Sequence, residues 1–475
     1  VFDEVFDVIV VGSGFAGLSA AIEARNAGCS VLVIEKMRVP GGNSALSGGL
    51  IAVANSPLQE VANISDSPAR LANDMLKAGK ALNHPALIQT VSEKSREIFL
   101  WTRDYLGVAF NDTLIHGGGH SVPRIYTPVT CTGAIIVQAL LVKCRELDIP
   151  IRMQCASKDL IRDDSGRVVG VTVASNYIFP QQNSGIIRRI RAHKAVVLAS
   201  GGFCQDVEFR MIQNARLDSS LETTNHPGAT AEALVSALKI GATPVHLSWV
   251  QMGPWTSRDE KGWGGSAMFS LLSGFPNGIM FDATTGKRFV NELTDRLSIS
   301  QEMTLAGRDP MLIVGGEAAR LHPNLTQCLK RKVVKRYDTL ETLALDQSIN
   351  AAALAATLRK YNESVDHGVD REFGKPLGPN NRHKITPPYY LVRLRPKIHY
   401  CNGGIQINTR AQVMDVEHHQ PIPGLYAAGE VTGGVHGACR IGGTAISECL
   451  VFGRIAGANA AQEGQSAGVP DNHAM

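Results

Sequence analysis

The sequence predicts an α/β fold interrupted by an inserted α+β domain. Three observations predict it. Residues 7–35 read as strand, glycine-rich turn, helix and strand. From residue 396 onward the chain returns to strand-and-helix alternation. Between them, tryptophans, glycines and prolines crowd residues 248–278, and the pattern of the first part does not resume before 395. The expected organisation is therefore 1–247, an inserted 248–395, and 396–475 completing the first domain. At 475 residues, one hydrophobic core is already too small to organise the chain.

Asp7-Val-Ile-Val-Val11 is a short apolar run of strand length. Gly12-Ser-Gly14-Phe-Ala16-Gly17 follows, then an Ala-rich helix to about Ala27 and a second strand, Ser30-Val-Leu-Val-Ile-Glu35. In such a Rossmann-like unit the first glycine permits the turn and the second admits a pyrophosphate against the backbone. The third brings helix and strand together, and a carboxylate ending the second strand accepts bonds from a ribose diol. Glu35 stands there, followed by Lys36. Residues 65–145 read as mostly helical, with strands at Val168–Val173 and Ala195–Ala199. After Gly278 helices are expected to Asn362, and a β-like return is expected at Tyr389–Leu394.

Composition excludes several classes. A formal charge of +4 is too small to argue for nucleic acid, and no apolar stretch is long enough to span a bilayer. Nine dispersed cysteines without a C-x-x-C give no zinc ribbon, thioredoxin-like pair or haem attachment, and favour a reducing compartment. His116-Gly-Gly-Gly-His120 invites a metal, but a glycine loop explains it without a third ligand, so none is assigned. The basic run Lys330–Arg336 reads as a solvated helix face.

The choice of FAD comes from further glycine motifs. Gly41-Gly42-Asn43-Ser44-Ala-Leu-Ser-Gly48-Gly49 follows Glu35 closely. Ala199-Ser200-Gly201-Gly202-Phe203 resembles a middle flavin motif, and Gly424-Leu-Tyr-Ala-Ala-Gly429-Glu430 a late one. With Gly118–Arg124, Thr224-Asn-His-Pro-Gly-Ala-Thr230, Arg288–Arg296, His399-Tyr-Cys-Asn-Gly-Gly404 and Gly429–Gly443, the chain resembles one flavoprotein family along 7–457. That family holds fumarate reductases, succinate dehydrogenases, urocanate reductase and ketosteroid dehydrogenases; the soluble fumarate-reductase branch is the nearest in pattern.

The resemblance implies a flavin domain with an inserted capping domain. It implies two-hydrogen chemistry across a carbon–carbon bond, with Arg296 moving the proton and His399 and Arg440 binding a substrate carboxylate. It also implies non-covalent FAD, because Asn43 and no histidine occupies the segment where membrane-bound relatives attach the flavin. Two departures bear on the substrate. Gly253, in Val250-Gln-Met-Gly253-Pro-Trp255, replaces the family's second substrate histidine, and Ser270-Leu271 replaces a Thr-Glu pair that relays protons. A monocarboxylate with a bulkier or less polar end near Gly253, Trp255, Ser270 and Tyr400 is therefore expected, rather than fumarate. The electron donor or acceptor is not specified. A ketone-activated dehydrogenase using Tyr389 or Tyr390 is the alternative, and an electron carrier without a substrate site is the third.

Overall fold

The computed structural model describes residues 1–305, 307–378 and 381–464. The chain enters at β1 (Glu4–Val11), turns into α1 (Phe15–Asn26) and returns in β2 (Val31–Ile34), parallel to β1 with Val8 opposite Val31. Both strands are buried on both faces where they pair, which is why they read as unbroken apolar runs rather than alternating ones. Then come β3 (Ile151–Arg152), β4 (Cys155–Arg162), β5 (Val168–Ser175) and the 13-residue β6 (Ile186–Leu198). The first half of β6 pairs antiparallel with β5, and its second half runs parallel to β1.

The next stretch carries β7 (Val250–Gly253), β8 (Ile279–Asp282), β9 (Lys287–Arg288) and α2 (Arg296–Met303). It continues through β10 (Pro310–Gly315), β11 (Lys335–Tyr337) and β12 (Tyr389–Arg393). The chain then returns through β13 (Lys397–Cys401), β14 (Gln412–Met414), β15 (Pro421–Ala427) and α3 (Thr444–Gln462). The main sheet runs β14-β15-β6-β1-β2-β3, so strands from both ends of the chain share it. Helices α1 and α3 meet through glycines: a Cβ at Gly453 would lie 2.5 Å from the Ala16 carbonyl oxygen, and one at Gly457 2.1 Å from that of Ala20.

A separate five-stranded sheet runs β9-β8-β10-β12-β11. Its alternating side chains feed two apolar clusters, Leu312, Val314, Tyr390 and Val392 on one face, Ile313, Tyr389 and Leu391 on the other. The two connections to the rest of the chain lie side by side, with Ser257 bridged to Leu394 and the Arg395 N–H donating to the Thr256 carbonyl at 2.9 Å.

Two sequence expectations are corrected here. Residues 279–362 are not a run of helices: β8, β9, β10 and β11 interrupt them, and for β8 and β10 the reason is that short, fully buried apolar runs look alike in strand and helix. Residues 106–133, expected to be helical, form loops around the short strand Ile125–Tyr126, where three consecutive glycines and two prolines deny a helix. The expected second part of the first domain extends to 475, and its residues 465–475 lie outside the described residues. No helix among the described residues is long and apolar enough to cross a membrane.

Candidate active site

The glycine turn between β1 and α1 is a steric necessity. Gly12 has φ +109°, and a Cβ there would lie 2.3 Å from the Ala199 carbonyl oxygen at the end of β6. Gly17 is held as tightly, its Cβ position 2.0 Å from the Gly12 carbonyl. Gly14 caps α1 without a side chain, and Ser44 Oγ accepts from the Phe15 N–H at 3.0 Å. The remaining first-turn N–H groups, Ala16 and Gly17 among them, have no intrahelical acceptor, and no acidic residue stands in that turn. A helix end in this state suits phosphate.

Around this turn lies a cavity of about 1050 Å³, lined by Gly12, Gly14, Ala16, Glu35, Lys36, Gly42, Asn43, Ser44 and Gly201, among others. Nothing stands within 4 Å of the Cβ positions of Gly42 and Gly201. Glu35 accepts from Ser13 Oγ at 2.6 Å and from the Met37 N–H at 2.9 Å, which fixes its carboxylate at the strand end. Lys36 is tied to Glu232 at 2.8 Å and to Thr230. The length and chemistry of this trough suit a dinucleotide.

A second cavity, about 840 Å³, shares Phe15, Asn43, Ser44, Glu430 and Cys449 with the first. Gly48, Gly49, Trp255, Arg296, His399, Tyr400 and Arg440 line its other walls. Arg296 opens α2, whose N-cap Asp295 accepts from the Ser298 N–H at 2.9 Å. Its guanidinium carbon lies 4.2 Å from the Trp255 ring centroid. Arg440 lies 4.4 Å over the Tyr400 ring, and its backbone N–H donates to Gln251 Oε1 at 2.7 Å. Tyr400 turns its hydroxyl away, to Glu448 at 3.1 Å. His399 Nδ1 sits 2.7 Å from Thr224 Oγ1, and its ring is held against Trp255 and Trp263.

Three residues lining this cavity have a buried donor with no partner among the described residues, Arg296 Nη1, Arg440 Nε and Trp255 Nε1, and so does Gln251 Nε2 beside Arg440. Buried donors left unmade are costly, so such groups mark places for an acceptor from a bound ligand or water. Burial, and then the charge of Arg440, holds Arg296 well below the usual guanidinium range. Burial, then Arg440 and Arg296, holds His399 well below the usual imidazole range, so it is neutral. Burial pushes Glu430 up to about 7, although the Cys401 N–H donates to it at 2.9 Å.

Two predicted substrate residues are not at the cavity wall. Gly253 faces the Trp255 indole, whose ring atoms lie 3.4 Å from its Cβ position, with His399 Cβ at 3.5 Å. The fully buried indole thus fills the space expected to admit a bulkier substrate end. Ser270 is fully buried in the π-turn Ser270–Gly274, and its neighbour Leu271 lines the cavity instead. Tyr389 and Tyr390, the first tyrosines of the ketone-activated alternative, are buried in the two faces of the second sheet and line neither cavity, whereas Tyr400, open to the same reading, lines the second cavity with its hydroxyl on Glu448.

Sequence reasoning did not single out Thr224, Gln251, Trp263, Glu430, Leu271 or Cys449 as site residues. Thr224, Gln251, Leu271 and Glu430 lie inside quoted motifs, which was their available signal; Trp263 and Cys449 became visible only through folding. His120 Nε2 lies 2.8 Å from the Gly442 carbonyl, and His116 Nε2 lies 2.7 Å from the His120 carbonyl. Both rings serve the loop. Among the described residues the grouping of metal-ligand type is Cys204, Cys401 and Glu430, with the sulfurs 3.4 Å apart and burial raising both thiols.

Comparison with known proteins gives the context. The FAD binding domain family matches residues 7–446. The chain is 40% identical to the acrylate reductase flavoprotein subunit of Shewanella woodyi, over 96% of this chain and 91% of that one. It is similar in structure to the open conformation of a flavocytochrome c3 fumarate reductase, with TM-score 0.74, 32% identity, and 97% and 79% of the two chains covered. A 3-ketosteroid-Δ4-(5α)-dehydrogenase from Rhodococcus jostii RHA1 gives TM-score 0.74 at 26% identity, with 98% of each chain covered.

Proposed function

Because the chain belongs to the FAD binding domain family and is an FAD-dependent oxidoreductase of carbon–carbon bonds, we propose that it reduces the double bond of a small α,β-unsaturated monocarboxylate, with Arg296 as the proton donor. The observation that carries this reading is the convergence of unpartnered cationic and polar donors on one cavity, with the Trp255 indole packed where a side chain at position 253 would project. Bound FAD supplies the hydride.

The protein's own residues do the rest. Arg440, oriented by Gln251 and by the Tyr400 ring, takes the substrate carboxylate together with neutral His399. As hydride arrives at the β-carbon, negative charge spreads into that carboxylate, and Arg440 stabilises it in place. Arg296 then protonates the α-carbon. A guanidinium is ordinarily too weak an acid, and burial beside Arg440 is what makes it a stronger one. We further propose that residues 248–395 form a cap over the flavin, hinged at the paired connections 256–257 and 394–395.

Two expected results test it here. A second buried carboxylate without a donor costs about 1–3 kcal/mol, so kcat/KM for fumarate should lie about fivefold to 150-fold below that for acrylate. Steady-state assays with reduced methyl viologen measure both; equal or better use of fumarate would refute the monocarboxylate reading. FAD should leave the protein on acid denaturation. Asn43, which instead accepts from the His226 N–H at 2.7 Å, offers no nucleophile. The Cys449 thiol, lining both cavities, is held protonated chiefly by burial and then by Glu448 and Glu430. Flavin absorbance remaining with the precipitated chain would overturn this.

A further inference from the structure

Arg296 forms a partition between two cavities. Behind it lies a third space of about 460 Å³, which shares Leu50, Trp255, Leu271 and Arg296 with the substrate cavity. The part of this space open to a water-sized sphere is about 30 Å³, room for about two molecules given polar partners. Three titratable side chains line it: Arg296, Glu292 and His116. Glu292 is fully buried and saturated. It accepts from the Met280 N–H at 2.9 Å, from Arg288 Nε at 2.9 Å and Nη2 at 2.7 Å, and it pairs with Lys375 at 3.3 Å. Burial opposes its charge, but Lys375 and Arg288 overcome it and hold the carboxyl below its usual range. Glu292 is a structural ion.

His116 is different. It is only partly buried, at the rim with Gly117, Gly118 and Thr294. Its Nε2 faces the His120 carbonyl at 2.7 Å. A carbonyl only accepts, so Nε2 carries the hydrogen and Nδ1 holds the free lone pair. We propose that the cavity behind Arg296 is the proton inlet of the enzyme, and that His116 Nδ1 recharges Arg296 from bulk water through it.

The inference rests on Arg296 being the proton donor. The proton balance is closed. Arg296 gives one proton to the substrate carbon and becomes neutral guanidine. The His116 imidazolium passes one proton through cavity water to that guanidine, and neutral His116 takes one back from solvent. No electrons move in these steps. Leu271, apolar and shared by both cavities, offers no competing route. The charges around His116 are Arg124 with its partners Asp66 and Asp74, neutral His120, and across the cavity Glu292 and Arg296. Burial, with Arg124, lowers the His116 imidazole, so it is largely neutral at rest and gives up an acquired proton readily.

The test separates one turnover from many. Arg296 starts each cycle charged, so mixing photoreduced His116→Gln enzyme with acrylate should reoxidise the flavin at close to the normal rate once. Steady-state kcat under saturating reduced methyl viologen should fall at least about tenfold, within the range for a displaced acid–base group. The solvent deuterium isotope effect on kcat should rise, and added imidazole should restore a His116→Ala enzyme. Unchanged kcat and isotope effect in His116→Gln would overturn the proposal, as would equal slowing of the single and multiple turnovers. Near-normal activity in Arg296→Ala would instead sink the reading beneath it.

Discussion

Replacing Arg296 with alanine should lower kcat by about 10²–10⁴-fold, the contribution of a positioned general acid, while FAD stays bound. The two effects separate because Arg296 touches the Trp255 ring and the substrate cavity but not the dinucleotide cavity. Arg296→Lys should not rescue. An ammonium keeps the charge but loses the planar fork that lies over the indole, and it cannot present two donors at once. Tyr390→Phe is the control: its ring packs in the second sheet, so turnover should stay near normal. Steady-state kinetics with flavin quantified by absorbance decide it. An active Arg296→Ala enzyme beside a dead Tyr390→Phe enzyme would reverse the assignment.

Arg440→Ala should damage binding and chemistry together. Its guanidinium sits on the Tyr400 ring with Nε unpartnered, so it meets the substrate carboxylate in a desolvated place. Removing one member of such a buried charged pair costs about 2–5 kcal/mol, or about thirtyfold to several thousandfold in kcat/KM. Because the carboxylate also carries developing charge, kcat should fall as KM rises. A change confined to KM would show that Arg440 only anchors the acid. His399, neutral because of its burial and its two cationic neighbours, should contribute no titration to KM across the neutral pH range.

Local patterns carried the opening unit of the chain. Gly12, Gly14 and Gly17 announce themselves by their spacing, and the structure shows the backbone oxygens that forbid a side chain at Gly12 and Gly17, while at Gly14 the nearest atom is the Ser44 hydroxyl oxygen, 3.0 Å from its Cβ position. The strand–turn–helix–strand unit was legible for a similar reason: its periodicities are short and its signals adjacent in sequence. The second sheet was not. Ile279–Asp282 and Pro310–Gly315 are buried on both faces by partners distant in the chain, and no local signal says strand rather than helix.

The residues of the active site were legible as types, and their arrangement was not. Arg296, His399 and Arg440 stand in motifs, but which cavity each enters depends on strand register and helix entry. The departure at Gly253 was visible as a missing histidine. That Trp255 occupies the space is a matter of where an indole two residues away folds back, against His399 and under Arg296. Ser270 and Leu271 differ in the same way, since a π-turn decides which of two neighbours faces the ligand. Chain chemistry determines the dinucleotide turn, the charge types and the cofactor class. The partition at Arg296, the indole that closes the far end and the cavity behind it exist only once two distant sheets are packed together. Their side chains meet across hundreds of residues, beyond the reach of any local pattern.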